Sequence, residues 1–112
     1  MTEVTVQTLI DAKYAPNSQT TEYTSTSVKT IIDKFTVSNN SGSPATIAIN
    51  LVPSGSSAGA TNLILPTKTI LDGEVYRCPE IVGHELDSGD FISLIAGTAS
   101  ALVIRSSGRI IA

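Results

Sequence analysis

Residues able to do chemistry are sparse in this chain, and most of them fall within one stretch, Ile70 to Ile95. His84 is the sole histidine, with Glu80, Glu85, Asp87 and Asp90 close in sequence. An imidazole beside carboxylates can ligate zinc or a non-haem metal, or move a proton. A single histidine excludes two-histidine ligand sets within one chain. A metal would therefore need a symmetry axis gathering one His84 from each subunit, and a surface His–carboxylate pair is the simpler expectation. Asp72, Glu74, Asp87 and Asp90 offer oxygens to calcium. Calcium takes about six to eight oxygens from a shaped loop, and neither acidic turn has that spacing. Turn formation and protection of strand edges explain these acids more simply.

Cys78 is the only cysteine, so no disulfide forms within the chain and no thiolate cage exists. Arg77 beside it could lower its pKa, but a lone cysteine in a strand-like run reads as a small hydrophobe. The small-residue stretch Ser54 to Thr61 invites comparison with a phosphate loop. No Lys-Ser or Lys-Thr follows Gly59, so it reads as a mobile surface loop, one that could order on a neighbour. Serine is abundant without a Gly-x-Ser-x-Gly elbow. Five aromatic residues and no tryptophan leave little for stacking on sugars or bases. Asn39-Asn40-Ser41 has the form of a glycosylation acceptor, which matters only on a secretory route. The expectation is a protein with no catalytic residues, no metal and no cofactor.

The elements around these residues are read from periodicity. Thr, Val and Ile supply 35 of 112 residues, and β-branched side chains suit pleated strands. No window shows helical apolar spacing with a cap. Strands are expected at 4–10, at Thr20 to Ser27 as an edge strand or an arm, and at Val28 to Asn39. In the last, Ile31, Phe35 and Val37 are placed inward, with a bulge near Asp33. Asn39 to Ser43 is a hairpin connection. Ala45 to Val52 alternates cleanly, with Ala45, Ile47, Ile49 and Leu51 on one face. Asn62 to Leu65 and Lys68 to Leu71 are two short strands or one broken at Pro66. Gly73 to Ile81, Phe91 to Ala96 and Ala101 to Arg105 complete the set, with Phe91 to Ala96 apolar on both faces and hence central. Two acidic turns, Leu71-Asp72-Gly73-Glu74 and Leu86-Asp87-Ser88-Gly89-Asp90, are near-copies, each followed by a strand-like run.

About eight strands with closely spaced turns predict an all-β, antiparallel β-sandwich of jelly-roll type: residues 1–27 as an N-terminal strand and arm, and residues 28–112 as the sandwich, one domain overall. A net charge of −3 with dispersed Lys and Arg argues against nucleic-acid binding. No apolar run is long enough to cross a bilayer as a helix, and the opening MTEVTVQTLID lacks the form of a secretory signal. The apolar end Ile110-Ile111 is expected to pair into a sheet or to meet another subunit.

The succession TIIDKFTVSNNSGSPATIAINLVPSG, TILDGEVYRCPEIVGHELDSGDFISLIAG and ALVIRSSGRII resembles small structural proteins of tailed bacteriophages. It spans about Ser27 to Ala112. The residues carrying it are Phe35 to Asn39, Asp72-Gly73-Glu74, Pro79-Glu80, Gly83-His84, Leu86, Gly89-Asp90 and Ser107-Gly108. The resemblance implies a β-sandwich virion component, assembled in the host cytoplasm, that decorates the capsid or fits between tail and baseplate parts. Its partners would be copies of itself, a trimer among the forms, together with the major capsid protein or tail components. A capsid decoration protein is the first expectation, a tail, neck or baseplate accessory the second. A receptor- or glycan-binding module using the loops 54–61 and 82–90 is the third. The expected interface residues are Val4, Val6, Leu9, Tyr14, Tyr23, Phe91, Ile110 and Ile111, with Met1 to Ser27 and the Ile110-Ile111 tail as contact segments.

Overall fold

The computed structural model describes residues 3–112, so Met1 and Thr2 of the expected arm lie outside the described residues. Nine strands follow in order: β1 (Val4–Tyr14), β2 (Thr20–Thr24), β3 (Lys29–Asn39), β4 (Ala45–Val52), β5 (Leu63–Ile70), β6 (Val75–Tyr76), β7 (Glu85–Leu86), β8 (Phe91–Ala96) and β9 (Leu102–Ile111). A single 3-10 turn, Ala60–Asn62, precedes β5. One sheet runs β1-β9-β3-β6, with β7 also on β3, and the other runs β2-β8-β4-β5. Every pairing between strands is antiparallel.

The logic of these pairings is a long ribbon rolled up. β1 pairs β9, β2 pairs β8, β3 pairs β6 and β7, and β4 pairs β5. Rolling the ribbon adds β3 to β9 and β4 to β8. With β6 and β7 taken as two pieces of one interrupted strand, this is the eight-strand jelly roll. The expected sandwich is the observed one.

Between the sheets lies one apolar core. Ile32, Phe35 and Val37 of β3 meet Ile47 and Ile49 of β4, Ile92 and Leu94 of β8, and Leu102 and Ile104 of β9, all essentially without solvent contact. The alternation expected of β4 holds. Ala45, Ile47, Ile49 and Leu51 face the core, while Asn50 pairs Ser93 on the outside. In β3 the ladder with β9 slips between Ile32 and Lys34, placing the bulge at Asp33. Because a slip of one residue swaps faces, Ile32 points inward and Ile31 outward, the reverse of the sequence reading of Ile31.

Other boundaries move for identifiable reasons. β1 runs on through Asp11 to Tyr14, where a loop is expected, because two irregularities in its ladder break the alternation that would have shown it. β5 passes through Pro66 without breaking. It is an edge strand, and its ladder slips between the pairs Ile47–Lys68 and Ile49–Leu65, so the missing N–H costs no ladder bond. β9 continues from Ala101's neighbour Leu102 to Ile111, so Ile110 and Ile111 do pair into a sheet, and a central strand at that. The run Gly73 to Ile81 is strand only at Val75–Tyr76. Beyond it the chain turns tightly, Cys78 O accepting from Ile81 N at 2.9 Å and Val82 N at 3.1 Å.

The segment expected as an arm is built into the chain's own sheets. β1 flanks β9 and buries Leu9 and Ile10, β2 flanks β8, and Ala15 between them is also buried. At the β2–β3 corner, the Tyr23 hydroxyl and Thr30 Oγ1 share a hydrogen bond at 2.8 Å. Ser25 Oγ lies 2.9 Å from Thr30 Oγ1 and donates to Val28 O at 2.7 Å, satisfying two fully buried hydroxyls.

Candidate interaction surface

The residues with chemical potential are spent on structure. Cys78 is fully buried, and burial first, then the nearby Glu80 carboxylate, pushes its thiol up to about 12. It is a protonated core residue at the turn after β6. His84 is exposed, and the structure uses its backbone: its carbonyl accepts from Ile32 N at 3.0 Å, tying the turn before β7 to β3. Among the described residues no group of three or more His, Cys, Asp or Glu side chains could hold a metal ion.

The acidic turns share one construction. In the first, Glu74 N donates to Leu71 O at 3.0 Å and Glu74 Oε1 accepts from Leu71 N at 2.9 Å. In the second, Asp90 N donates to Asp87 O at 3.0 Å and Asp90 Oδ2 accepts from Asp87 N at 2.9 Å. The third position is glycine in both, Gly73 at φ +80° and Gly89 at φ +92°, the left-handed region that such turns demand. Remaining acid oxygens reach other loops: Asp72 Oδ1 accepts from Gly42 N, and Asp90 Oδ1 from Ser54 N, each at 2.9 Å. Asn39, the asparagine of the glycosylation triplet, is buried. Its amide donates to Ser43 O and Ile70 O, and its oxygen accepts from Ser41 N and Ser41 Oγ, so no atom is left for a sugar.

The loop 54–61, expected to be mobile, is pinned instead. Asn50 Nδ2 donates to Asn62 Oδ1 at 2.7 Å and to Gly59 O at 3.0 Å. Asn62 Nδ2 donates to Ser57 O, and Asn62 Oδ1 accepts from Gly59 N, both at 3.0 Å. Gln19 extends the network by donating to Ser93 Oγ at 2.8 Å. All of this sits on the outer side of the four-stranded sheet, where Asn50, Asn62 and Ser93 are nonetheless buried.

The outer side of the five-stranded sheet is different. Register places Val4, Ile111 and Lys29 in one row across β1, β9 and β3, and Val6, Arg109 and Ile31 in the next. Val4 and Val6 are 57% and 77% exposed; Ile31 and Ile111 are half-buried. Ion pairs frame this apolar cluster. Arg109 makes a forked contact with Asp33, Nη2 to Oδ1 at 2.9 Å and Nε to Oδ2 at 3.0 Å. Lys29 Nζ reaches Glu85 Oε1 at 2.8 Å and Asp87 Oδ1 at 3.4 Å. These contacts raise the pKa of Arg109 and of Lys29, and the Lys29 ammonium holds the Glu85 carboxyl below its ordinary value. Further along the same face lies a shallow trough in two joined parts of about 480 and 410 Å³. Lys34 and Thr36 line both, Arg77 the first and Arg105 the second. Among the described residues Lys34, Arg77 and Arg105 form no ion pair.

The structure separates the eight expected interface residues. Val4, Val6 and Ile111 cluster; Tyr14, 52% exposed, lies on the same face but at the far end of β1. Phe91 pairs Val52 on the opposite sheet's outer side. Leu9 is a core residue, and Tyr23 and Ile110 pack against the core, so these three point inward. Ile31, Lys34, Arg77 and Arg105 join the surface unannounced. The slip at Asp33 was the available signal for Ile31, while the cations come from segments that only the fold brings together.

No family model, curated protein or solved structure matches this chain.

Proposed function

We propose that the chain is a structural protein of a tailed-phage virion, a capsid decoration (cement) protein that acts by packing between shell subunits. The outer face of the five-stranded sheet carries this reading: exposed valines and half-buried isoleucines lie beside three cations that form no ion pair among the described residues. Apolar centres with arginine and a polar surround are the composition of protein interfaces. The jelly roll is also an architecture of viral capsid domains, support that is analogy at the level of fold. The mechanism is mechanical. Each copy buries apolar area worth roughly 25 cal/mol per Å² before entropic costs, and small contacts sum over a lattice.

Removing residues 1–20 would strip β1 from the core and so disturb the fold as well as the surface. Ile31→Asp combined with Arg105→Glu changes only the outer face. Occupancy on purified particles is expected to fall about tenfold or more, about 1.4 kcal/mol, with an unchanged circular dichroism spectrum. Full occupancy of the double variant would reject the face. The same geometry serves a tail, neck or baseplate accessory, and quantitative mass spectrometry of particles separates the two: many copies for the shell, a handful for the tail. Absence of the chain from particles would end both readings.

A further inference from the structure

Each sheet edge in this fold carries a guard except one. β5 has Pro66 in its middle and Lys68 after it; β2 is five residues long, with Glu22 and a slipped register at Thr21–Tyr23; β6 and β7 have two residues each. Proline, charge, irregularity and shortness are the devices that prevent one edge from pairing with another. β1 is divided. From Thr8 onward its ladder is irregular and Lys13 Nζ is bonded to Glu22 Oε1 at 2.8 Å, which closes that half toward β2. From Val4 to Thr8 the sequence is Val-Thr-Val-Gln-Thr, regular and uncharged, with neither proline nor glycine.

The direction of the free backbone groups follows from the ladder. Glu3 and Ala112 exchange both hydrogen bonds, N to O at 3.3 and 2.9 Å. Hydrogen-bonded pairs alternate along an antiparallel ladder, so Thr5 with Ile110 and Gln7 with Gly108 are the next bonded pairs. Val4, Val6 and Thr8 therefore turn their N–H and C=O groups away from β9, toward open solvent.

We infer that this half-strand pairs with the same half-strand of a second copy, antiparallel about a two-fold axis through Val6. That register sets Val6 opposite Val6 and Val4 opposite Thr8, and each of these pairs has its N–H and C=O groups on the seam. The three pairs make about six hydrogen bonds with no backbone group left over. The segment has no charge, so no like charges meet across the axis. Val4, Val6 and Thr8 project to the outer face, so the two valines at the axis meet directly and Val4, beside Ile111, meets Thr8 of the other copy. The two five-stranded sheets become one. A strand pair alone is a small interface, so the dimer forms at high concentration and dissociates on dilution. The inference stands independently of any role in a virion.

Light scattering over micromolar to millimolar concentrations tests it. The expected mass climbs from one chain, 11.7 kDa, toward two. Val6→Pro removes an N–H that no bond among the described residues uses, and Val6→Lys places two charges on the axis. Both variants are expected to stay at one chain with an unchanged circular dichroism spectrum, and Val6→Lys alone decides if the proline variant misfolds. Amide exchange gives a second readout: Val4, Val6 and Thr8 slow as concentration rises, whereas Thr5 and Gln7 are slow throughout. A single-chain mass at every concentration, a three-chain mass, or a dimer unmoved by the folded variants would overturn the pairing.

Discussion

The two sheets share a core and differ on their outer sides. The four-stranded sheet is covered from within: the chain folds the segment 53–62 over Asn50 and Ser93 and holds it with Asn62 and Asn50, while Gln19 bonds Ser93 beside it. Asn50, Asn62 and Ser93 are consequently buried and hydrogen-bonded. The five-stranded sheet has only ion pairs above it, and it leaves Val4 and Val6 to water. A sheet whose outer side is already covered has its contacts fixed at folding. One whose apolar side chains remain outside keeps area available for a later partner, and this asymmetry assigns the interaction surface to one side of the molecule.

Substitutions at the two faces should separate accordingly. The largest loss is expected on the inner side of the five-stranded sheet, at Gly108. A Cβ there would overlap the Ile31 carbonyl and press on Leu9 Cδ1, and a backbone atom held in a ladder cannot yield. Gly108→Ala should cost about 3 kcal/mol in urea unfolding; a near-neutral result would mean that β3 moves at its bulge. Asn62→Ala strips the cover from the other sheet. It leaves Gly59 N and the Asn50 amide short of an acceptor, for a loss of about 2 kcal/mol, and proteolysis within 54–59 should become measurable. If cleavage stays undetectable, something other than Asn62 holds the loop.

An intermediate effect lies where the five-stranded sheet is interrupted. The Cys78 thiol ionises near 9 when unfolded and is pushed up to about 12 by burial. Its contribution to stability is thus complete below pH 9 and is lost as pH rises toward 12. Tyr76, held protonated by burial and by its bonds to Glu80, steepens the fall above pH 10. Cys78→Ala should flatten the part of the alkaline limb nearest pH 9, read by urea midpoints at successive pH values. An unchanged limb would assign it elsewhere. The smallest effect is expected at Val6→Thr, within about 0.5 kcal/mol of the parent despite the loss of an apolar group. A larger penalty would show that the outer face already contributes to folding.

Where side-chain alternation was intact, the sequence was readable. β4 and β8 appear as expected, and Asp33 marked its bulge because a charge interrupted an inward run. The turns at Asn39 to Ser43, Leu71 to Glu74 and Asp87 to Asp90 were legible because Asp, Asn and Gly there each answer a local backbone need. Asp11 to Tyr14 escaped notice because bulges put polar residues in consecutive positions. Nothing local to Ser25, Thr30, Asn50 and Asn62 announces burial, because each is polar and only the fold supplies the partners that let it be buried. The basic trough was beyond reach for the same reason: Lys34, Arg77 and Arg105 are distant in sequence.

The rolled ribbon also bears on how the molecule forms. β9, bonded on one side to β1 and on the other to β3, is the last strand of the fold to be made. Until it arrives, β1 has no neighbour in its sheet and β3 has only the two short strands β6 and β7. Closing the roll joins the most distant parts of the chain, a loop whose entropy must be lost before its contacts repay it. Folding should therefore be slow, on the order of milliseconds to seconds. During synthesis, Val4 to Thr8 would wait unpaired on both sides, which makes the nascent chain most exposed to mispairing at its oldest strand.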